Sequence, residues 1–410
     1  MKEKNLKADG TKKYSKFWYK FAQIATKIIV GMWFKRKFIR NEVKGKKGPF
    51  VIIANHQTAL DFANLMGVTR EHISFVISNS FFSTNPLNNQ MAKAGMIPKQ
   101  QFQTGVGDLK RMRSVIDNGG ILALYPAGLM CEDGRSTPIP VATYKFLQWL
   151  RADIYMARSI GAYFVMPKWS KKKRPGRTLL DVYKLFDKDE LRDMPLDEVK
   201  RRTDEALLFD AYREQERYKF KYKDCETIEG IEEVLYRCPC CTEKYSMAVK
   251  DTNTIYCKAC GFAERSDEYG FLHKVSEVGE EIRYVSDFAE EIYSKVRKEV
   301  ASGELGEISC KVKIQMIDYE KRKFEEVGYG TLGINKEYVS IKGEVKGETL
   351  DVSVQTAAFP SLPFGPGKYV EVQRGEDIYR CYPENPHSVM ELVNVVKAHY
   401  EIAIEGQPLR

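Results

Sequence analysis

Cysteine is scarce, nine in 410 residues, which excludes a disulfide-built scaffold. Glycine and proline, 29 and 16, are too few for a collagen-like or low-complexity chain. No uncharged run approaches the roughly 20 apolar residues that cross a bilayer, so a polytopic membrane protein is excluded as well. What remains is a globular balance, 43% hydrophobic and 30% charged, at a length that suggests two or three domains. Lysines interrupt the apolar residues near the start and no small-residue cleavage site follows. The sequence therefore predicts no secretory signal and a cytosolic chain with reduced thiols.

The net charge of +9 is unevenly placed: residues 1–50 hold fifteen Lys and Arg against three acids, so the other 360 residues sum to about −3. Such a segment meets something anionic, nucleic acid or a phospholipid surface. On a helix of 3.6 residues per turn, Lys16, Lys20, Gln23 and Lys27 share a narrow stripe. Trp18, Phe21, Ala25, Ile28, Ile29 and Met32 fill the opposite arc, continued by Trp33 and Phe34. A basic stripe opposite bulky aromatics is the composition of a helix lying in a membrane interface. The alternative is that the apolar face docks on the following domain.

From about residue 48, short apolar runs alternate with helical spacing, which is α/β material. Pro49–Ala54, Ile73–Ser78, Ile121–Tyr125 and Tyr163–Pro167 read as strands. Leu60–Gly67, Gly107–Asn118, Thr143–Arg151 and a long charged run Leu196–Tyr218 read as helices. Where the first strand ends stands Asn55-His56-Gln57-Thr58-Ala59-Leu60-Asp61. Across a strand-to-helix turn this spacing brings a carboxylate to one imidazole nitrogen and leaves the other free as a base. Alone the pattern is weak, and a histidine satisfied by a local turn would explain it equally.

Further blocks follow in order: Gly95-Met96-Ile97-Pro98, then Leu124-Tyr125-Pro126-Ala127-Gly128 with Asp133-Gly134 behind it, then Val165-Met166-Pro167. With the histidine block, these resemble the 1-acylglycerol-3-phosphate acyltransferases over about residues 15–220. The resemblance implies an α/β acyltransferase domain in which His56 and Asp61 form the catalytic pair and the later blocks, Gly128 among them, bind the acceptor. It also implies acyl transfer from a thioester, acyl carrier protein or acyl-coenzyme A, to a lysolipid hydroxyl. The chain departs from the family where Gln101 stands for a second-block Arg and where Pro126-Ala127-Gly128-Leu129-Met130 stands for Pro-Glu-Gly-Thr-Arg. A lost Arg removes a bidentate phosphate fork. Lys99, Arg135 and Lys168 are the candidates for replacement charge, and Cys131 is a rival nucleophile that lacks an evident base.

An independent constellation is Cys238-Pro239-Cys240-Cys241 and, fifteen residues on, Cys257-Lys258-Ala259-Cys260. Two such knuckles at this separation predict a zinc ribbon with Cys238, Cys241, Cys257 and Cys260 as ligands, Cys240 spare, and the zinc structural because no coordination position stays open. A redox pair is the alternative. Residues 224–268 carry ten acids and five bases, the wrong sign for phosphate, so no nucleic-acid partner is expected.

The last block alternates with period two over Ser309–Ile317, Gly330–Ile341, Thr349–Val354, Tyr369–Gln373 and Asp377–Tyr382, between a helix at Ser286–Val300 and a final helix begun by Asn385-Pro386. Its order of elements resembles a pleckstrin-homology-type barrel. The sequence thus predicts a basic amphipathic membrane-surface segment (1–47), an acyltransferase-like α/β domain (48–222), a zinc ribbon (223–270), and an antiparallel β domain with a C-terminal helix (271–410). The expected protein is a monotopic or peripheral acyltransferase on the cytoplasmic face of the membrane. The competing expectation is a catalytically idle acyltransferase fold that binds lipid or serves as a scaffold.

Overall fold

The computed structural model describes residues 14–102 and 105–405. The basic N-terminal residues before Tyr14 lie outside it.

The first sheet holds seven strands: β1 Arg36–Asn41, β2 Phe50–Ala54, β3 Ile73–Ser78, β4 Ile97–Lys99, β5 Ile121–Leu124, β6 Asp153–Ile160 and β7 Thr178–Phe186. Their order is β1-β7-β6-β2-β5-β3-β4, and neighbours run parallel except β6 with β7. β2 and β5 are buried along their whole length, as befits central parallel strands covered on both faces. Helices form at Asp61–Met66, Val106–Asp117 and Ala142–Trp149, close to where the spacing predicts them.

The domain differs from the sequence reading in several elements: β1, β4, β6 and β7 lie outside the predicted strands. Tyr163–Pro167 is not a strand; Ala162–Val165 is one helical turn begun by Gly161 at φ +83. All four of its residues are buried, and a short run buried all round has no period to read. The true strand is β6, whose Asp153, Arg158 and Ser159 interrupt its apolar pattern. The charged run is two helices, Leu196–Leu207 and Ala211–Tyr218, because Asp210 accepts hydrogen bonds from the backbone N–H groups of Tyr212 and Arg213 and starts a new helix.

The N-terminal helix, Lys16–Ile29, continues as a π turn through Phe34. Tyr19, Thr26, Val30 and Phe34 are buried. The Tyr19 hydroxyl takes the N–H of Ile73 at 3.0 Å and donates to the Glu71 carbonyl at 3.2 Å. A second side stays open: Phe17, Phe21, Ile24, Ile28 and Met32 are 51–70% exposed. Lys16, Lys20 and Lys27 are exposed as well. One side of this helix thus packs on the following domain, and another presents an apolar stripe to solvent. No helix among the described residues is long and apolar enough to cross a membrane.

A four-stranded antiparallel sheet follows, β8 Met247–Lys250, β9 Thr254–Cys257, β10 Ala263–Ser266 and β11 Leu272–Lys274. After the helix Val285–Ser302 comes a seven-stranded antiparallel sheet: β12 Ile308–Asp318, β13 Lys323–Ile334, β14 Tyr338–Val345, β15 Glu348–Gln355, β16 Phe364–Gly365, β17 Tyr369–Arg374 and β18 Asp377–Pro383. Its order is β15-β14-β13-β12-β18-β17-β16. The run Gly330–Ile341 divides into parts of β13 and β14 because Asn335 Oδ1 accepts the N–H groups of Glu337 and Tyr338, an Asx turn that reverses the chain. The final helix, Val389–Ile404, buries Val389, Leu392, Val393, Val396 and Tyr400. One apolar cluster joins the three parts, with Phe164 and Tyr212 from the first, Phe262 and Phe271 from the second, and Phe288 and Val396 from the third.

Candidate active site

The backbone leaves β2 at Ala54 and turns into the helix Asp61–Met66. Asn55 clamps this turn to β6: its Nδ2 donates to the Ser159 carbonyl at 2.9 Å and its Oδ1 accepts the Ser159 N–H at 2.8 Å. Gln57 Oε1 accepts the N–H of Tyr163 at 3.1 Å. With both flanks held, His56 Nδ1 lies 2.9 Å from Asp61 Oδ2. The same oxygen accepts the backbone N–H groups of Gln57 at 2.6 Å and Thr58 at 2.9 Å. Three donors on one carboxylate oxygen fix its position. An anion at Nδ1 selects the tautomer whose Nε2 is the basic nitrogen.

The geometry also brings in a residue outside the predicted set. The Tyr125 ring stacks on the imidazole with centroids 4.2 Å apart and planes 21° from parallel. Its hydroxyl is buried without a hydrogen-bond partner, and burial holds its pKa well above the ordinary phenol value. The one signal in the sequence was its place at the start of the Tyr125-Pro126-Ala127-Gly128 turn, directly after β5. That turn closes through the Gly128 N–H to the Tyr125 carbonyl at 2.9 Å, and Gly128 adopts φ +70, where a side chain is strained.

Other candidates are dispersed around this centre. Gln101 Nε2 donates to the Gly128 carbonyl at 2.7 Å. Lys99, at the end of β4, donates to the Gln100 carbonyl at 3.0 Å, and burial lowers its pKa. Arg135 lines a cavity of about 20 Å³ together with His56, Leu129 and Phe209, room for a water but not for an acyl chain. Its guanidinium is engaged by Asp133 Oδ2 at 2.6 Å and by Glu290 of the helix Val285–Ser302. Lys168 sits under the C-terminal domain, Nζ 3.3 Å from the Phe364 ring centroid, where burial pulls its pKa down to about 8 against the attraction of Glu132. Cys131 is buried, and desolvation followed by the nearby Asp133 holds its thiol well above the ordinary range. It is a neutral thiol, unsuited to attack. Its N–H braces the His56 carbonyl at 3.0 Å.

The four predicted ligands converge elsewhere. The sulfurs of Cys238, Cys241, Cys257 and Cys260 all lie within 4.8 Å of one another, with Cys238–Cys260 at 3.6 Å and Cys241–Cys257 at 3.7 Å. Tetrahedral zinc at about 2.3 Å from each sulfur requires separations of about 3.8 Å. The set fits a metal ion with all four positions filled by protein. Cys240 is exposed and outside the cluster.

Residues 35–168 match the family model described as Acyltransferase. Among solved structures the chain is similar to the 1-acyl-sn-glycerophosphate (LPA) acyltransferase PlsC from Thermotoga maritima, at 17% identity and a TM-score of 0.40 over 50% of this chain and 79% of that one. It is also similar to the Ran-binding domain of the nuclear complex component Nup2 from Ashbya gossypii, at 17% identity and a TM-score of 0.19 over 24% of this chain and 97% of that one. The family match spans the His56–Asp61 pair, Tyr125 and Gly128 and ends at Lys168. Over that third of the chain the match is to the acyltransferase family, and acyl transfer in general is the chemistry it supports.

Proposed function

We propose that the protein moves a fatty acyl group from a thioester, acyl carrier protein or acyl-coenzyme A, to a hydroxyl of a lysophospholipid at the cytoplasmic face of a membrane. The observation that carries the reading is the His56–Asp61 pair at the carboxyl end of β2, its carboxylate held by three donors. Carboxyl ends of parallel strands are where open α/β sheets place their ligands. His56 Nε2 takes the hydroxyl proton as the oxygen bonds to the thioester carbonyl carbon, and Asp61 stabilises the imidazolium so formed. Collapse of the tetrahedral adduct expels the thiol, which leaves with that proton. General-base help of this kind is worth roughly 10² to 10⁴ in rate, and no covalent acyl-enzyme is needed.

Gly128 shapes the third-block turn, while Lys99, Arg135 and Lys168 are the cations nearest the family blocks for an anionic acceptor. The exposed stripe Phe17, Phe21, Ile24, Ile28 and Met32, flanked by lysines, supports a peripheral membrane face. The four cysteines hold a structural zinc, and the strand order with its sealing helix supports a pleckstrin-homology-type C-terminal domain. The test is purified protein with labelled acyl thioesters and a panel of lysolipids, wild type beside His56→Ala. Turnover that depends on His56 supports the reading. Absence of transfer with every donor and acceptor favours the idle, lipid-binding fold, for which Ala127 in place of a family Glu and the small cavity speak.

A further inference from the structure

Between Lys168 and Arg177 the chain reads Lys-Trp-Ser-Lys-Lys-Lys-Arg-Pro-Gly-Arg, six bases and no acid. The structure sorts them. Arg174 is 2% exposed; its guanidinium donates to the Thr227 carbonyl and stacks 4.8 Å from the Trp169 ring centroid, and its N–H binds the Val165 carbonyl at 2.8 Å. It is an internal peg. Two further bonds fix the loop beyond it, Gly176 N–H to the Trp33 carbonyl and Lys223 N–H to the Pro175 carbonyl, both at 3.0 Å. A Cβ at Gly176 would fall 2.0 Å from the Tyr222 ring, so only glycine permits this approach. Lys171, Lys172, Lys173 and Arg177 are left exposed on a rigid platform. The single ion pair from these four among the described residues is Lys172 with Glu229, 3.9 Å apart and about half exposed on both sides, too loose to neutralise the patch.

The platform stands against the end of the N-terminal helix. Lys173 Nζ lies 3.8 Å from the Trp33 ring centroid, and Trp33 follows Met32, the last residue of the exposed apolar stripe. An apolar stripe that ends in a tryptophan beside a fixed cluster of cations matches the layering of a bilayer surface, acyl chains beneath anionic headgroups.

We infer that the loop Lys171–Arg177 is a second membrane contact, binding anionic phospholipid headgroups while the apolar stripe of Lys16–Ile29 enters the interface. The inference rests on the reading of that stripe as the lipid face. It adds a site about 140 residues away in sequence and strengthens the preference for anionic over zwitterionic lipid that the exposed Lys16, Lys20 and Lys27 lend the helix.

Flotation of full-length protein on vesicles of phosphatidylcholine alone, and of phosphatidylcholine with phosphatidylglycerol, tests it in low salt. Two variants are compared with wild type: Lys171→Gln/Lys172→Gln/Lys173→Gln, and Phe21→Asp/Ile24→Asp. All five positions are solvent-facing, so circular dichroism should be unchanged. The expected result is tighter binding to anionic vesicles, weakened about 10- to 100-fold by the triple lysine change, with binding to neutral vesicles intact. If the triple variant keeps the full anionic preference while the stripe variant stops floating, the loop assignment fails and the stripe reading survives. Equal flotation of wild type on both vesicles also overturns it, and the patch then fits an acidic protein better. If the stripe variant floats like wild type, the membrane reading falls and takes this inference with it.

Discussion

Asp61→Asn is the substitution that separates chemistry from architecture at this site. The asparagine carbonyl can take the place of Oδ2 and still accept the N–H groups of Gln57 and Thr58 and the His56 Nδ1 proton, now 2.6, 2.9 and 2.9 Å from it. Its NH₂ group then falls where Oδ1 is buried without a partner. The ring keeps its tautomer, with Nε2 free as a base, but the anion that stabilises the imidazolium is gone. Loss of that charge should lower turnover by roughly 10², part of the 10² to 10⁴ that general-base help supplies. All three hydrogen bonds persist to a neutral acceptor, so the folding cost should be only about 1–3 kcal/mol, that of an unpartnered NH₂ in a buried place. Initial rates with a verified thioester and acceptor, measured beside a thermal melt, check both halves. Activity within tenfold of wild type would refute the charge-stabilisation argument. A collapse of the melt would show that Asp61 mainly holds the turn, and His56→Ala, which leaves the carboxylate on its two amides, then becomes the deciding variant.

Four further outcomes are expected. Cys131→Ala should keep near-normal transfer rates, because a desolvated neutral thiol contributes no nucleophile; a hundredfold loss would revive it as one. Glu264 is fully buried in β10, one oxygen lacks a partner, and burial pushes its pKa up to about 7 from 4.5; its folded value being the higher, it favours folding below pH 4.5 and that contribution disappears as pH rises through 7. The change amounts to about 3 kcal/mol at most, and Glu264→Gln should flatten denaturation midpoints over that window, whereas an unaltered slope would place the titration elsewhere. Elemental analysis of protein purified without added metal should give about one zinc per chain, and chelation should lower the melting temperature since metal binding and folding are coupled; metal-free protein of undiminished stability would sink the zinc centre. Phe17, Phe21, Ile24 and Ile28 each leave about half or more of their surface in water, worth roughly 1 kcal/mol apiece on transfer to lipid, so serine at all four should reduce activity on bilayer lysolipid far more than on detergent-dispersed lysolipid, and an equal loss in both would argue against a membrane role.

That last variant is preferable to deleting residues 1–40, for a reason only the fold supplies. Deletion would also remove buried Tyr19, Val30 and Phe34 and all of strand β1 but Asn41. The sequence distinguishes a basic side from an apolar side of this helix, but which apolar residues meet protein depends on what packs beside it. The Tyr19 hydroxyl finds its partners at Glu71 and Ile73, more than fifty residues on. Short apolar runs bounded by turn residues (β2, β3, β5), both long C-terminal helices and the strands β12, β15, β17 and β18 lie close to their predicted spans. A short run buried all round can also be a helical turn, as at Ala162–Val165, and an element can end on one side-chain cap or turn, as at Asp210 and Asn335; these were not legible.

The candidate site divides along the same line. His56 and Asp61 are five residues apart and the four cysteines sit on two tight turns, so local geometry suffices to pair them, and the spacing carries the information. The charges around the centre are different. Arg135 lies 155 residues from Glu290 and Lys168 lies 196 from Phe364, yet these contacts decide what each cation can do. A guanidinium between two carboxylates presents little net charge, and an ammonium under an aromatic ring with its pKa near 8 is only partly protonated on the alkaline side of neutrality. Both partners come from the chain beyond the acyltransferase match. The later domains therefore share in setting the charge of Arg135, which lines the cavity beside His56, and of Lys168.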